Sequence, residues 1–235
     1  MNTILYTMGR TLVRLYAQTM FNLDVRGPFP WPRGAKILAA NHPSTTDPFL
    51  MVALSDEPVS ILIHDTLFRV PVFGRYLHQA GHIRVVPGDG RAACEQARQL
   101  LAAGRTVVVF PEGDISPLEG GFHPPHSGVA RLALSTGAPV IPVGIHLQRE
   151  RIQLIATTVE GQPDVARWYL SGPYAVTVGE PLRFAGEVED RAAVRQVAEQ
   201  IMQRIIALAQ ESARRMPARL AAMVTGPARV AEGGH

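Results

Sequence analysis

Cysteine is all but missing: Cys94 stands alone in a chain of 235 residues. No internal disulfide can therefore staple the fold, and a reducing compartment is expected. The surrounding run Arg91-Ala92-Ala93-Cys94-Glu95-Gln96-Ala97 favours a helix, so a buried structural thiol is the reading. Aromatic residues amount to only 6%, which leaves the core to Ala, Val, Leu and Ile. No apolar run reaches the roughly 18 residues that a bilayer-spanning helix needs. The apolar start of the chain is broken by Arg10 and Arg14 and is followed by no small-residue cleavage pattern, so it does not read as a secretory signal. Basic clusters interleaved with aromatics are absent too, which makes nucleic acid the least favoured anionic partner. Charge is sparse at 18%, yet 23 basic residues, mostly Arg, outnumber 20 acidic ones and give a net +3 with a pI near 9.4. That balance suits a phosphate-bearing small molecule or an anionic lipid surface.

What remains is ample for a globular fold. Hydrophobic residues make up 46%, and the length fits one large α/β domain or two small ones. Residues 3 to 21 carry Ile4, Leu5, Met8, Leu12, Leu15 and Tyr16 at helical spacing, with Arg10 and Arg14 elsewhere on the helix. Such a helix lies in a membrane interface with its arginines at the headgroups, or it packs on the domain. A Pro/Gly-rich connector, Gly27 to Gly34, follows. Short apolar runs at Lys36–Ala40, Val59–His64, His82–Val86, Thr106–Phe110, Val140–His146, Arg151–Thr157 and Tyr174–Val178 read as strands. Helical stretches fall at Pro48–Leu54, Arg91–Ala103 and Gly128–Ser135, and a long helix runs from Glu189 to Arg215. This alternation predicts an α/β fold: a mixed, largely parallel sheet flanked by helices on both faces. The expected divisions are an N-terminal helix over 1–24, a main domain over 25–216 and a mobile tail over 217–235.

Two constellations stand at strand ends, where open parallel sheets place their ligand crevices. The first is Asn41-His42-Pro43-Ser44-Thr45-Thr46-Asp47-Pro48. A histidine takes and returns a proton near neutral pH, and a carboxylate on its other ring nitrogen fixes the tautomer and stabilises the imidazolium. Asp47-Pro48 also reads as an ordinary helix start, with Asp as N-cap and Pro at the first helical position. The second is Phe110-Pro111-Glu112-Gly113-Asp114-Ile115-Ser116. Its charged Glu112 sits between Pro and Gly, poorly placed for packing; it either bonds an acceptor hydroxyl, holds a basic side chain, or simply belongs to a turn. A third segment, Gly137 to Ile145, reads as a buried strand entered through a Pro-containing turn.

In this order the segments resemble the glycerolipid acyltransferase family, the 1-acylglycerol-3-phosphate (lysophosphatidic acid) acyltransferases and their relatives. The likeness rests on Asn41-His42 to Asp47, Phe110 to Gly113 with Ser116, and Val140 to Val143. Leu67-Phe68, Pro71 to Gly74 and Gly179 to Leu182 extend it over roughly residues 24 to 210. It implies a glycerol-3-phosphate acyltransferase-like fold in which His42 and Asp47 are catalytic. Asn41, Arg84, Phe110, Pro111, Glu112, Gly113 and Ser116 would then bind substrate. It also implies that an acyl group passes from acyl-CoA or acyl carrier protein, as co-substrate, to the hydroxyl of a lysophospholipid or related lipid alcohol, with no cofactor and no metal. The protein would sit in the cytoplasm, peripheral on the inner face of the membrane. Backbone N–H groups near Asn41 or Gly113 are candidates for an oxyanion site. One block departs: Pro87 occupies the place where the family usually has Arg. Arg84 lies three positions earlier, an odd distance that turns it to the opposite face of a regular strand, so Arg91 or Arg131 is an alternative.

Other classes leave weaker traces. A metal-dependent hydrolase would have to use His123 and His126 with Asp114, but Pro124-Pro125 makes the spacer extended rather than helical. A serine esterase lacks its Gly-x-Ser-x-Gly elbow. A lipid-binding module without catalysis would have no use for both His42 and Asp47.

Overall fold

The computed structural model describes residues 1–28, 30–159 and 162–216; the tail expected over 217–235 lies outside the described residues. Helix α1 (Thr3–Met20) starts at Asn2, whose side chain accepts the Leu5 N–H, a standard N-cap. Nine strands and six more helices follow: β1 (Phe21–Arg26), β2 (Lys36–Ala40), α2 (Asp47–Leu54), β3 (Val59–His64), α3 (Asp65–Phe68), α4 (Phe73–Gln79), β4 (Ile83–Val85), α5 (Gly90–Ala102), β5 (Thr106–Val109), α6 (Gly128–Thr136), β6 (Val140–Leu147), β7 (Gln153–Val159), β8 (Gln162–Trp168), β9 (Gly172–Val178) and α7 (Arg191–Arg215). Seven strands form one sheet in the order β1-β9-β6-β2-β5-β3-β4, and β7 and β8 pair as a separate ribbon. Neighbours in the large sheet are parallel except β6 and β9, which are antiparallel.

The near-continuous apolar runs are the ones buried on both sides. In β2, Ile37 and Ala39 join a core with Ala93, Ala97 and Leu101 of α5, Val129 and Leu132 of α6, and Val194 and Ile201 of α7. Leu38 and Ala40 turn the other way, toward Tyr6 and Ala17 of α1 and Leu50 and Met51 of α2. Helices thus cover both faces of a largely parallel sheet, and both layers read from the sequence are present. Helix α7 presses closely on β6: a methyl group on Gly144 would come within 2.1 Å of the Ala209 nitrogen, so only glycine fits there.

Three features differ from the reading of the sequence. The boundary expected at residue 24 falls inside β1, because the helix stops at Met20 and Phe21, 5% exposed, starts a strand paired with β9. The ribbon strand β8 and the short helices α3 and α4 were not anticipated. Finally, Arg10 and Arg14, half-buried, reach back to the domain. Arg10 donates to the Asp56 carbonyl at 2.9 Å, and Arg14 to those of Ala53 and Ser55, both at 2.8 Å. They neutralise the carbonyl-rich C-terminal end of α2, a favourable place for cations.

Candidate active site

The parallel strands β2, β5, β3 and β4 end along one edge of the sheet, and the chemistry gathers where β2 and β5 end. His42 follows β2, and its Nδ1 lies 2.9 Å from Asp47 Oδ2. The carboxylate only accepts, so Nδ1 carries the hydrogen. Asp47 is fully buried, and the remaining donors around it are set firmly. Ser44 N–H reaches Oδ2 at 2.7 Å, Ser44 Oγ reaches Oδ1 at 2.8 Å, and the Tyr174 hydroxyl reaches Oδ1 at 2.7 Å. Asp47 does not serve as a helix cap: the cap position is Thr46, and no side chain bonds the free N–H groups of α2. Burial, together with the Asp47 charge, pushes the Tyr174 hydroxyl well above its ordinary pKa of 10, so it remains a neutral donor. The His42 ring, 16% exposed, stacks on Phe110 with centroids 4.2 Å apart. Its Nε2 has no hydrogen-bond partner among the described residues, which leaves that nitrogen for a substrate proton.

Glu112 is the second buried carboxylate, and its role is bracing. Oε1 accepts the His42 backbone N–H at 3.0 Å and the Ser116 hydroxyl at 2.7 Å; Oε2 accepts the His123 N–H at 2.8 Å. Glu112 is 2% exposed, each oxygen already accepts at least one protein donor, and no ion pair joins it to a basic side chain among the described residues. The Ser116 N–H in turn donates to the His42 carbonyl at 2.8 Å, so the turn after β5 grips His42 from both sides of its backbone. Gly113 has a φ of +72°, and a methyl group there would meet the His126 ring at 2.5 Å. Pro111, buried in the same turn, takes the His126 N–H on its carbonyl.

Asn41 is buried, with both ends of its amide engaged by the protein. Its amide nitrogen donates to the Ile145 carbonyl at 2.9 Å and its oxygen accepts the Ile145 N–H at 2.7 Å, which locks the end of β2 to β6. Two of the backbone donors considered for an oxyanion are engaged: the His42 N–H by Glu112 and the Gly113 N–H by the Phe110 carbonyl at 3.1 Å. Arg84 lies on β4, three strands from β2, or roughly 14 Å at the usual spacing. With Arg69 it donates to the buried Asp65 carboxylate, which both arginines hold below the ordinary range against the cost of burial. Arg84 is thus brought together with Asp65 rather than with His42. Strand β4 ends at Val85, so the alternation that would relate Arg84 to Pro87 does not extend that far. Arg131, on the opposite face of the sheet, donates to the Val188 carbonyl. Among the described residues no group of three or more His, Cys, Asp or Glu is arranged to hold a metal ion.

Several parts of the site escaped sequence reasoning. Ser44 lies inside the first block and had a readable signal, a hydroxyl three residues before a carboxylate. Tyr174, 127 positions from Asp47, had none. Nor did the ribbon that holds the loop: the Thr45 N–H donates to the Arg167 carbonyl, while Thr46 Oγ1 donates to the Tyr169 carbonyl and accepts the Tyr169 N–H.

A family profile described as Acyltransferase matches residues 22–146, just over half of the chain. The chain belongs to the acyltransferase family. An uncharacterized protein of Mycobacterium tuberculosis is 32% identical over 168 residues, covering 64% of this chain and 44% of that protein. The lyso-ornithine lipid O-acyltransferase of Pseudomonas aeruginosa is 32% identical over 143 residues, covering 60% and 54%. The 1-acyl-sn-glycerol-3-phosphate acyltransferase of Cocos nucifera is 30% identical over 118 residues, covering 47% and 38%. The matched region spans about half, or less, of the length of these curated relatives. Among solved structures, the 1-acyl-sn-glycerophosphate acyltransferase PlsC of Thermotoga maritima superposes with a TM-score of 0.55 at 23% identity, covering 86% of this chain and 78% of that one; at that identity the likeness is one of fold.

Proposed function

We propose that this acyltransferase moves a fatty acyl group from a thioester, acyl-CoA or acyl carrier protein, to the hydroxyl of a lipid acceptor, with 1-acylglycerol-3-phosphate as the first candidate. The observation that carries the reading is the His42–Asp47 pair: a half-open imidazole whose Nε2 is available and whose Nδ1 is fixed by a carboxylate surrounded only by donors. His42 Nε2 takes the proton of the acceptor hydroxyl as its oxygen attacks the thioester carbonyl, and the thiolate leaves. No acyl-enzyme is needed, because the leaving group is good. General-base catalysis of this kind contributes on the order of 10²–10⁴-fold, and holding the two substrates together supplies much of the rest. The acyl donor is a co-substrate, and the chemistry calls for neither cofactor nor metal.

The lyso-ornithine lipid enzyme among the relatives, together with Pro87 and the engagement of Arg84 by Asp65, favours a second acceptor class: a lipid alcohol or amine-lipid with a different headgroup. We place the protein on the inner face of the membrane. Among the described residues no helix is long and apolar enough to cross a membrane, and α1 exposes Ile4, Met8, Leu12 and Leu15, an apolar stripe suited to the lipid interface. His42→Ala, assayed by thiol release from acyl-CoA with a panel of acceptors, tests the reading. The expected result is lost transfer in a folded protein; retained turnover rejects general-base catalysis, and a parent protein inert toward every thioester and acceptor favours a lipid-binding module.

A further inference from the structure

Two cations stand beside the dyad, both beyond the family-matched segment. Arg149 follows β6, and Arg167 lies in β8. Arg167 Nη1 donates to the Ser116 carbonyl at 2.8 Å, and Arg149 Nη1 donates to the carbonyls of Pro117 and Leu118. Both guanidiniums therefore flank the loop whose Ser116 N–H holds the His42 carbonyl. Both side chains are half-buried. Burial holds the Arg149 guanidinium below its ordinary pKa; the Glu112 and Glu119 carboxylates oppose the shift and the Arg167 charge reinforces it. Glu112 directs its hydrogen bonds to His42, Ser116 and His123 instead, so it offsets the two cations only through space. No carboxylate among the described residues forms an ion pair with either arginine.

Like charges drawn together and partly out of water are unfavourable unless an anion joins them. Each arginine spends one terminal nitrogen on the loop and keeps its Nε–H and the other terminal NH₂ group, a fork that fits a phosphate or carboxylate in bidentate fashion. We propose that Arg149 and Arg167 form a subsite for an anionic group, phosphate or carboxylate, carried by a substrate bound at His42. The inference rests on the acyl-transfer reading above, and it assigns to these two residues the role that the sequence suggested for Arg84. The anion belongs either to the headgroup of the lipid acceptor or to the phosphates of the thioester donor.

The test is calorimetric titration of the purified full chain with lysophosphatidate below its micellar concentration, with uncharged monoacylglycerol, and with coenzyme A. Parent protein is compared with Arg149→Gln, Arg167→Gln and the double variant; glutamine keeps an N–H donor for the loop carbonyls. Each substitution is expected to weaken one anionic ligand by about tenfold or more, the factor that losing a charge-assisted hydrogen bond predicts, with monoacylglycerol binding unchanged. Loss confined to lysophosphatidate places the acceptor there; loss confined to coenzyme A places the donor. Unchanged affinity for both anions, equal weakening of the uncharged lipid, or a parent that binds neither anion overturns the proposal. Binding is read without turnover, so failure of the catalytic reading shows separately. Where the glutamine variants do not fold, Arg149→Lys and Arg167→Lys keep the charge and lose the fork: an anion subsite gives intermediate weakening, and a mere loop brace gives none.

Discussion

Replacing Asp47 with asparagine separates the charge of the dyad from its geometry. The asparagine oxygen fits the place of Oδ2, which receives the His42 Nδ1–H at 2.9 Å and the Ser44 N–H at 2.7 Å. Its amide nitrogen then faces the hydroxyls of Ser44 and Tyr174 in place of Oδ1; each hydroxyl turns a lone pair toward the new donor, but its own hydrogen loses an acceptor. Ring orientation and tautomer survive; the negative charge opposite the imidazolium does not. Unit charges roughly 4 Å apart interact by about 4 kcal/mol at an effective dielectric of about 20. That is about three powers of ten in rate. Asp47→Asn is therefore expected to lower kcat by about a thousandfold in a thiol-release assay, with a urea midpoint below that of the parent but above that of Asp47→Ala. Asp47→Ala behaves differently, because it strands the Ser44 N–H and the Tyr174 hydroxyl in the interior at about 1–3 kcal/mol each, and so unfolds at lower urea. A folded Asp47→Asn protein with kcat within about threefold of the parent would refute the assignment of Asp47 as charge partner.

Three further expectations follow from the same geometry. Glu112→Gln turns an NH₂ group against one of three protein donors, so Tm is expected to fall by several degrees, about 2–4 °C per kcal/mol for a chain of this size, and kcat to fall with the acceptor KM unchanged; a raised KM alone would mean that Glu112 touches the acceptor. His82, buried and accepting the Ile61 N–H, has its pKa lowered from 6.5 to about 4 by burial, reinforced by Arg105. The unfolded chain then holds more protons between those values, and stability falls as pH drops through that window, by up to about 3 kcal/mol; urea titrations at several pH values should show it, and His82→Asn should flatten it. Changing Ile4, Met8 and Leu12 together to serine should weaken sedimentation with anionic liposomes by about tenfold or more without changing Tm, and unchanged sedimentation removes α1 as the lipid contact.

The sheet was legible because its central strands carry unmistakable composition: Val107-Val108-Val109 and Val140-Ile141 are apolar on successive residues, as strands covered on both faces must be. Strand β1 carries a strict alternation of Phe21, Leu23 and Val25 with Asn22, Asp24 and Arg26, but it follows α1 with no intervening residue, so no turn signal separates the two periods. Strand β8 was not legible, since Gln162-Pro163-Asp164-Val165 has neither alternation nor β-branched density, and it forms by pairing with β7. At the site, His42 and Asp47 were readable because a five-residue spacing with a Pro-started helix brings both side chains to one loop. Glu112 was readable as an oddity, a charge in a buried turn, but not as a brace. Tyr174, Arg149 and Arg167 reach the loop only through tertiary structure: from a strand two places away in the sheet, from the turn after β6 and from the ribbon. No local pattern marks such residues.

The two buried carboxylates together explain why a single nitrogen is left to act. Asp47 accepts from His42, from both donors of Ser44, and from Tyr174; Glu112 accepts from the His42 backbone, Ser116 and His123. Every group facing either carboxylate is a donor, and the one hydroxyl acidic enough in principle to compete, Tyr174, is kept protonated by burial and by the carboxylate it serves. His42 Nε2 has no hydrogen-bond partner among the described residues, and it is the nitrogen that the proposed mechanism gives to the proton of an acceptor alcohol. The His42 ring stacks on Phe110 and its backbone is held by Glu112 and Ser116, so the positive charge that protonation of Nε2 would spread over the ring meets, at Nδ1, a carboxylate whose hydrogen bonds are already in place.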